Sequence, residues 1–275
     1  MIFKILEYNI LNGLCNEQKP YAFDEKRFKS ALKVIEDAKP DILILCEAGI
    51  SGVTPVTSNY NSSYEHLLSE FFGLDRARVN DFRCAPAIFS RFPMSAKNPY
   101  TDKHRGYIRS SLRLNDKTIN LDVVHPSPKL SEEQRTKFFK DVLKTRSESR
   151  YIISGDFNSL SPDDCYDQET LTRGYGNFME EDGKAKVEDM MKASAMSCVL
   201  ESRLRDTYAA KNPTRDIKKD FTIPTDWRNK NKDSAVRLDY ILCSYDFNVK
   251  DAGIIKNEFS EEASDHYPIY AVLEF

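Results

Sequence analysis

The chain has 275 residues, 40% hydrophobic and 11% aromatic, enough for one large core and too few for two full domains, so a single domain over residues 1–275 is expected. Forty Lys and Arg against 43 Asp and Glu leave a net charge of -3. That balance excludes the global basic field that draws a protein onto nucleic acid without specificity, so an anionic substrate must be held locally or through a metal.

In chain order, Ile2 to Tyr8 reads as a strand that delivers Asn9 and the turn Asn12-Gly13. Asp24 can cap a helix in which Phe28, Ala31, Leu32, Ile35 and Ala38 recur at helical spacing until Pro40 stops it. The continuous apolar run Ile42 to Cys46 predicts a strand covered on both faces, and it ends in Glu47. Residues 48 to 63 read as a loop, Tyr64 to Phe72 as a helix, and Ala85 to Pro93 as a strand closed by proline. Tyr107 to Leu114 and Thr118 to Val124 alternate as two strands around Asn115-Asp116, with His125 at the exit of the second. Ser131 and Gln134 form a capping box, and Phe138, Phe139, Val142 and Leu143 make the buried stripe of the helix that follows.

The run Tyr151-Ile152-Ile153-Ser154 then breaks into Gly155-Asp156-Phe157-Asn158. A strand that stops on a glycine, a carboxylate and an amide is a natural place for chemistry, although an Asx turn gives the same local pattern. Pro162 to Gly183 reads as polar and irregular, Val187 to Leu204 as a helix, and Leu238 to Cys243 and Tyr267 to Phe275 as closing strands. Between them, residues 211 to 237 hold eight Lys or Arg against four Asp, with Phe221 and the only tryptophan, Trp227. Several strands meet in short hairpins without strict β-α-β alternation, which favours two mostly antiparallel sheets with helices outside.

The six cysteines are far apart and none lies in a C-x-x-C pair, which argues against zinc and against a disulfide scaffold. Cys46 and Cys243 fall inside apolar runs and read as buried thiols. No stretch of about 20 apolar residues exists and the first residues are too interrupted for a leader. A soluble cytoplasmic protein without a membrane partner is therefore expected, and a monomer is assumed.

Asn9, Glu47, His125 and Asp156 each sit where a predicted strand ends, whereas Asp239 and Asp265-His266 sit where one begins. Ends of strands running one way and beginnings of strands running the other share one edge of a mixed sheet, so these residues can converge. Carboxylates beside amides form a hard-oxygen set that suits Mg²⁺ or Mn²⁺ better than zinc. Phosphoester hydrolysis needs that charge neutralisation, a group to orient water and a group to move a proton, for which Asp and His serve. Taken singly, each residue also fits a solvated acid, a turn former or, for Asp239, a surface salt bridge with Arg237 or Lys250.

In order along nearly the whole chain, these segments resemble the motifs of the endonuclease/exonuclease/phosphatase superfamily, which includes deoxyribonuclease I, exonuclease III, neutral sphingomyelinases and deadenylases. The matching segments are Tyr8 to Gly13, Asp41 to Glu47, Ala85 to Pro93, Ser154-Gly155-Asp156-Phe157-Asn158-Ser159, Arg237-Leu238-Asp239-Tyr240-Ile241 and Ser264-Asp265-His266-Tyr267-Pro268-Ile269. The resemblance implies an α+β fold, a four-layer αββα sandwich, and divalent-metal phosphoester hydrolysis. It implies Glu47 as main Mg²⁺ ligand with Asn9 beside it and Asp265 assisting. Asp156 would orient or deprotonate the attacking water, Asn158 would hold a phosphoryl oxygen, and His266, oriented by Asp239, would stabilise the pentavalent phosphorus. His125-Pro126-Ser127-Pro128 is nearer the deoxyribonuclease I form, in which the histidine donates a proton to the leaving oxygen. Arg105 resembles a phosphate-contacting position.

Three functions remain open at this point. A nuclease is suggested by the hydrolytic set together with Trp227, Phe221 and the local cationic excess, where rings can stack on bases and cations can meet phosphates. A small-molecule or lipid phosphoesterase uses the same residues. A binding scaffold that has lost catalysis would retain only the fold.

Overall fold

The computed structural model of the chain describes residues 1–15, 24–48, 76–78, 86–100, 107–176 and 183–275. Twelve strands are described in it: β1 (Ile2–Asn9), β2 (Ile42–Cys46), β3 (Arg76–Arg78), β4 (Ala87–Ser90), β5 (Met94–Tyr100), β6 (Tyr107–Leu114), β7 (Lys117–Val124), β8 (Tyr151–Asp156), β9 (Leu204–Asp206), β10 (Asp239–Ser244), β11 (Asn248–Ile254) and β12 (Ile269–Glu274). They form two six-stranded sheets, β11-β12-β1-β2-β4-β3 and β5-β6-β7-β8-β10-β9. Only β1 with β2 and β7 with β8 run parallel; the other pairs are antiparallel.

Alternation along each strand decides which layer a side chain enters. Phe3 and Ile5, Ile42 and Ile44, Leu121 and Val123, Ile152, and Ile241 and Cys243 all meet in one buried cluster between the sheets. The opposite faces of the same strands meet helices. Leu6, Tyr8, Leu43 and Leu45 pack with Ala31, Val34 and Ile35 of the helix Glu25–Ala38. Tyr151, Ile153, Tyr240 and Leu242 pack with Phe139 and Val142 of the helix Glu132–Lys144 and with Met196 and Val199 of the helix Ser194–Glu201. The result is the expected four-layer αββα sandwich of two mostly antiparallel sheets with helices outside.

Local signals set the helix starts. Asp24 accepts the backbone N–H groups of Lys26 and Arg27 at 3.0 and 3.1 Å, and Ser131 and Gln134 form the reciprocal capping box. Cys46 and Cys243 are buried, as their apolar runs require.

Elsewhere the structure departs from the sequence reading. Within residues 162–183, Gln168–Gly176 is helical, and it packs Leu171 against Leu160, Val187 and Leu238. The expected helix from Val187 to Leu204 is two helices, Gly183–Met190 and Ser194–Glu201, divided where Ala193 takes a left-handed φ of 48°, and Leu204 already belongs to β9. The strand expected over residues 85–93 is confined to Ala87–Ser90, while β5, β9 and β11 and the helix Glu258–Ala263 carry too little apolar alternation to be read locally. The loop at 49–63 and the helix at 64–72 lie outside the described residues. Among the described residues, no helix is long and apolar enough to cross a membrane.

Candidate active site

β1, β2, β7 and β8 finish at the edge of the sandwich where β10 and β12 begin. On the inward face, the apolar alternation of each strand ends there in a polar residue: Asn9 beyond Ile5, His125 beyond Val123, Asp156 beyond Ile152, and Asp239 ahead of Ile241. Asn9, His125, Asp156, Asp239 and His266 are all at least 95% buried.

Side-chain hydrogen bonds link these groups into one unit. The Asn9 amide donates to Asp156 Oδ2 at 3.1 Å, and its Oδ1 accepts the Leu11 N–H at 3.1 Å. His266 Nδ1 lies 2.8 Å from Asp239 Oδ2, while its Nε2 faces Asp156 Oδ2 across 4.0 Å. His125 Nε2 sits 3.5 Å from Asp156 Oδ2 and 3.8 Å from Glu47 Oε1. Glu47 Oε2 accepts the Asn12 N–H at 2.8 Å. The Asn158 N–H donates to Asp156 Oδ1 at 2.8 Å, and its side-chain amide donates to the Pro126 carbonyl at 3.0 Å, which joins the loops after β7 and β8.

Backbone geometry explains why these residues can converge. Leu11, Asn12, Gly13 and Leu14 turn through φ values between 44° and 62°, and Glu47 and Asn158 also take left-handed φ of 59° and 49°. Such positions are costly for residues with a side chain and concentrate at functional sites. Gly155 has a φ of 140°, and a Cβ on it would lie 2.0 Å from the Val124 carbonyl oxygen of the neighbouring strand. Glycine is therefore required just ahead of Asp156 by the close approach of β7 to β8.

Electrostatics differ sharply among the acids. Burial alone would raise the Asp156 carboxyl, but the hydrogen bond from His125 and the charges of His266 and His125 hold it down at about 2. Burial would likewise depress the His266 imidazole, yet the charge and hydrogen bond of Asp239 carry it well above the usual 6.5. Burial raises Asp239, with His266 pulling in the opposite direction. Asp265 is half-buried, and its carboxyl is raised by desolvation, opposed by His266 and supported by the nearby charge of Glu47. The surroundings thus favour the ionised form of Asp156 and the protonated form of His266, opposite tendencies in two groups that face each other.

The donor chemistry fits a hard divalent cation. Asp156, Asp239 and His266 place potential ligand atoms within 4.8 Å of one another, although an imidazole carrying protons on both nitrogens would leave the two carboxylates as the donors of that cluster. Glu47 and Asp265 add oxygen donors close enough to feel each other's charge. So many carboxylates at one lip, with two imidazoles among them, leave negative charge that a cation would offset.

Other sequence expectations change on contact with the structure. Asp239 is not a surface ion-pair partner: Arg237 instead bonds Asp164 and Asp206 in the interior, and Lys250 pairs with Glu274. Phe221 is buried against Ala235 and Tyr267, so its ring is not presented for stacking. At least four of the eight cations in residues 211–237 are committed to carboxylates: Arg215 and Arg237 to Asp164, Lys219 to Asp216 and Lys232 to Asp226. Trp227 is 43% exposed, with the Arg27 guanidinium 5.3 Å from its ring centre. Its segment is tied to the site because the Thr225 N–H donates to the Asp265 carbonyl at 3.0 Å. Arg105 lies outside the described residues.

Supporting residues also emerge: Ser264, which the motif contained without a role, and Thr222 and Glu7, which lie outside the motifs. Ser264 Oγ donates to the Asn9 carbonyl at 2.6 Å and accepts the His266 N–H at 3.3 Å. Thr222 Oγ1 accepts the N–H groups of Leu238 and Asp239 at 3.0 and 3.3 Å. Glu7 is fully buried on the inward face of β1, its carboxyl raised by burial and then by the charges of Asp239 and Asp156. A charge at an inward position of an apolar strand was the signal available for Glu7; nothing local marked Thr222.

The model of the Endonuclease/Exonuclease/phosphatase family matches residues 6–266. No curated protein matches the sequence. Among solved structures, the endonuclease/exonuclease/phosphatase from Beutenbergia cavernae is similar at 17% identity and a TM-score of 0.65, covering 100% of this chain and 72% of that one. D. rerio TDP2 complexed with single strand DNA product is similar at 17% identity and a TM-score of 0.63, over 100% and 99% of the two chains. The Neisseria 3' phosphatase NExo bound to product DNA hairpin follows at 19% identity and a TM-score of 0.62, over 99% and 100%. At these identities the likeness shows a shared fold.

Proposed function

The chain belongs to the endonuclease/exonuclease/phosphatase family, and from that premise we propose that it is a Mg²⁺-dependent phosphodiester hydrolase acting on nucleic acid, a nuclease built as one domain over residues 1–275. The observation that carries the hydrolase reading is the disposition of His266: one nitrogen is bonded to Asp239 at 2.8 Å, and the other faces the Asp156 carboxylate across 4.0 Å.

Glu47, Asn9 and Asp265 would hold the cation, with Mn²⁺ as a substitute. A divalent ion bound there supplies charge neutralisation on the phosphoryl oxygens. Asp156, held at about 2, is ionised at neutral pH and accepts a hydrogen bond from the attacking water. A carboxylate so weakly basic orients the water better than it deprotonates it. His266, kept protonated by Asp239, presents its Nε2 hydrogen to the oxygen on which charge grows at phosphorus. Asn158, whose amide is already half-committed to Pro126, offers its second N–H to a phosphoryl oxygen. His125 gives a proton to the leaving oxygen.

Nucleic acid as substrate is supported by the exposed Trp227 ring at the rim beside Arg27, a platform on which a base can stack. Two of the structurally similar proteins are complexed with DNA. A small-molecule phosphoester remains the second reading, favoured by the pairing of at least half the cations in residues 211–237 and by the net charge of -3. The test is hydrolysis, with Mg²⁺ and with Mn²⁺, of a single-stranded oligonucleotide, bis-p-nitrophenyl phosphate and a panel of phosphomonoesters and phospholipids. Cleavage of the oligonucleotide supports the nuclease, and turnover confined to the panel transfers the reading to a small substrate. Inertness on all of them, with calorimetry showing the cation bound to wild type and lost in Glu47→Gln, ends the catalytic reading.

A further inference from the structure

Asp239 engages His266 through Oδ2, while its Oδ1 is buried with no partner at ordinary hydrogen-bond geometry, the Thr222 hydroxyl beside it being the one protein donor that acts on this carboxyl besides His266. Both carboxyl oxygens of Glu7 and the hydroxyl of Ser154 are likewise buried with no partner at that geometry. These four atoms belong to three neighbouring positions one layer beneath the site. Ser154 shares its strand face with Asp156 and pairs with Ile241, which places it diagonally across from Asp239. Glu7 enters from the facing sheet, two residues before Asn9, and the charges it feels most strongly are those of Asp239 and Asp156. Cys46, beside it, directs its thiol to the Val124 carbonyl at 3.8 Å and accepts the Asp156 N–H, so the pull it exerts on the Glu7 carboxyl is the smallest of those acting there.

A buried polar atom without a partner is costly, and a cluster of such atoms is where proteins hold internal water, commonly through three hydrogen bonds. We propose that one buried water bridges Glu7, Ser154 and Asp239, making Glu7 a positioning residue for the Asp239–His266 pair. The water donates to Asp239 Oδ1 and to a Glu7 oxygen, and accepts the Ser154 O–H. Because water both gives and takes hydrogen bonds, the bridge forms whether Glu7 is the acid or the carboxylate. With Oδ2 on His266 and Oδ1 on the water, the Asp239 carboxylate is fixed at both ends, and the imidazole it orients is fixed with it. The chemistry this positioning serves rests on the hydrolase reading above; the bridge itself does not.

The deciding comparison is wild type against Glu7→Leu, Glu7→Gln and Ser154→Ala. In Glu7→Leu, kcat should fall at least about tenfold with KM little changed, while Tm stays level or rises because an unsatisfied acid has left the interior. Glu7→Gln, which can still bond the water, should recover most of the loss. Without substrate, the His266 Nδ1 proton resonance should shift or broaden in Glu7→Leu and Ser154→Ala, so the bridge is decided even if no phosphoester is turned over. A crystal structure that resolves waters should show one within hydrogen-bond reach of all three side chains. Wild-type kcat and an unmoved resonance in Glu7→Leu, or an interior in which the three side chains pack directly with no water, overturns the proposal.

Discussion

The space between the two sheets is filled in opposite ways at its two ends. Where β1 begins, Phe3, Phe247 and Phe275 meet edge-on with ring centres 5.8 to 6.0 Å apart, backed by Leu112, Leu114 and Leu273. Where β1 finishes, the same inward alternation delivers Glu7 and Asn9 against Asp156, Asp239 and His266. The change from one filling to the other takes two residues, from Ile5 to Glu7. Apolar contacts carry no direction and tolerate being stacked on any strand, so the first end can supply stability. Polar groups in the same space must be hydrogen-bonded one by one or destabilise the fold, so the second end is held by geometry and yields chemistry.

If that division holds, damage at the two ends should appear in different measurements. The largest effect is expected from Phe3→Ala, which removes a ring 1% exposed from the dry end. Loss of roughly 3–5 kcal/mol in denaturant unfolding is expected, with the folded fraction retaining wild-type turnover. Next come Asp156→Asn and His266→Ala, each lowering turnover by a factor on the order of 10² or more, with a loss of stability smaller than that of Phe3→Ala. A wild-type rate in either variant removes that residue from the mechanism. A large stability loss would instead merge the two ends into one structural unit. Trp227→Ala sits at the rim, outside both fillings, and should cost about 1–3 kcal/mol in binding of a single-stranded oligonucleotide while leaving bis-p-nitrophenyl phosphate turnover unchanged. Equal losses on both substrates would place the ring in the structure rather than in recognition.

The same contrast explains what could be read from the chain alone. Asn9, Glu47, His125 and Asp156 each end an apolar run, and the edge they share follows once β1, β2, β7 and β8 are taken to run one way; those strands were legible because buried strands are nearly all apolar. Their exact partners were not, since the link from His266 to Asp239 spans 27 residues of sequence and that from Asn9 to Asp156 spans 147. The helix Gln168–Gly176 stayed hidden because it is short and offers Leu171 as its one fully buried apolar side chain. β11, with the sequence Asn-Val-Lys-Asp-Ala-Gly-Ile and a bulge between Val249 and Asp251, owes its conformation to pairing with β12 rather than to its own pattern. The burial of Phe221 and the inward turn of Arg237 and Arg215 to Asp164 were hidden for a related reason: composition counts rings and charges but does not show which way they face.

The smallest expected effect concerns pH, and it sharpens the claim that the polar end contributes some stability of its own. His266 has its folded-state pKa raised, because the charge and hydrogen bond of Asp239 outweigh the burial that would lower it. A raised imidazole stabilises the fold fully below its unfolded value of about 6.5, and the contribution drains away as pH climbs through the higher folded value. With metal removed by chelation, the unfolding free energy of wild type minus that of His266→Gln should therefore be greatest near pH 6 and shrink on the alkaline side. The matched difference for Phe3→Ala should stay flat across the same range, since no proton is bound or released there. A His266→Gln difference that grows with pH would mean that the imidazole is buried neutral, and Asp239 would then be orienting a hydrogen-bond acceptor rather than a charge.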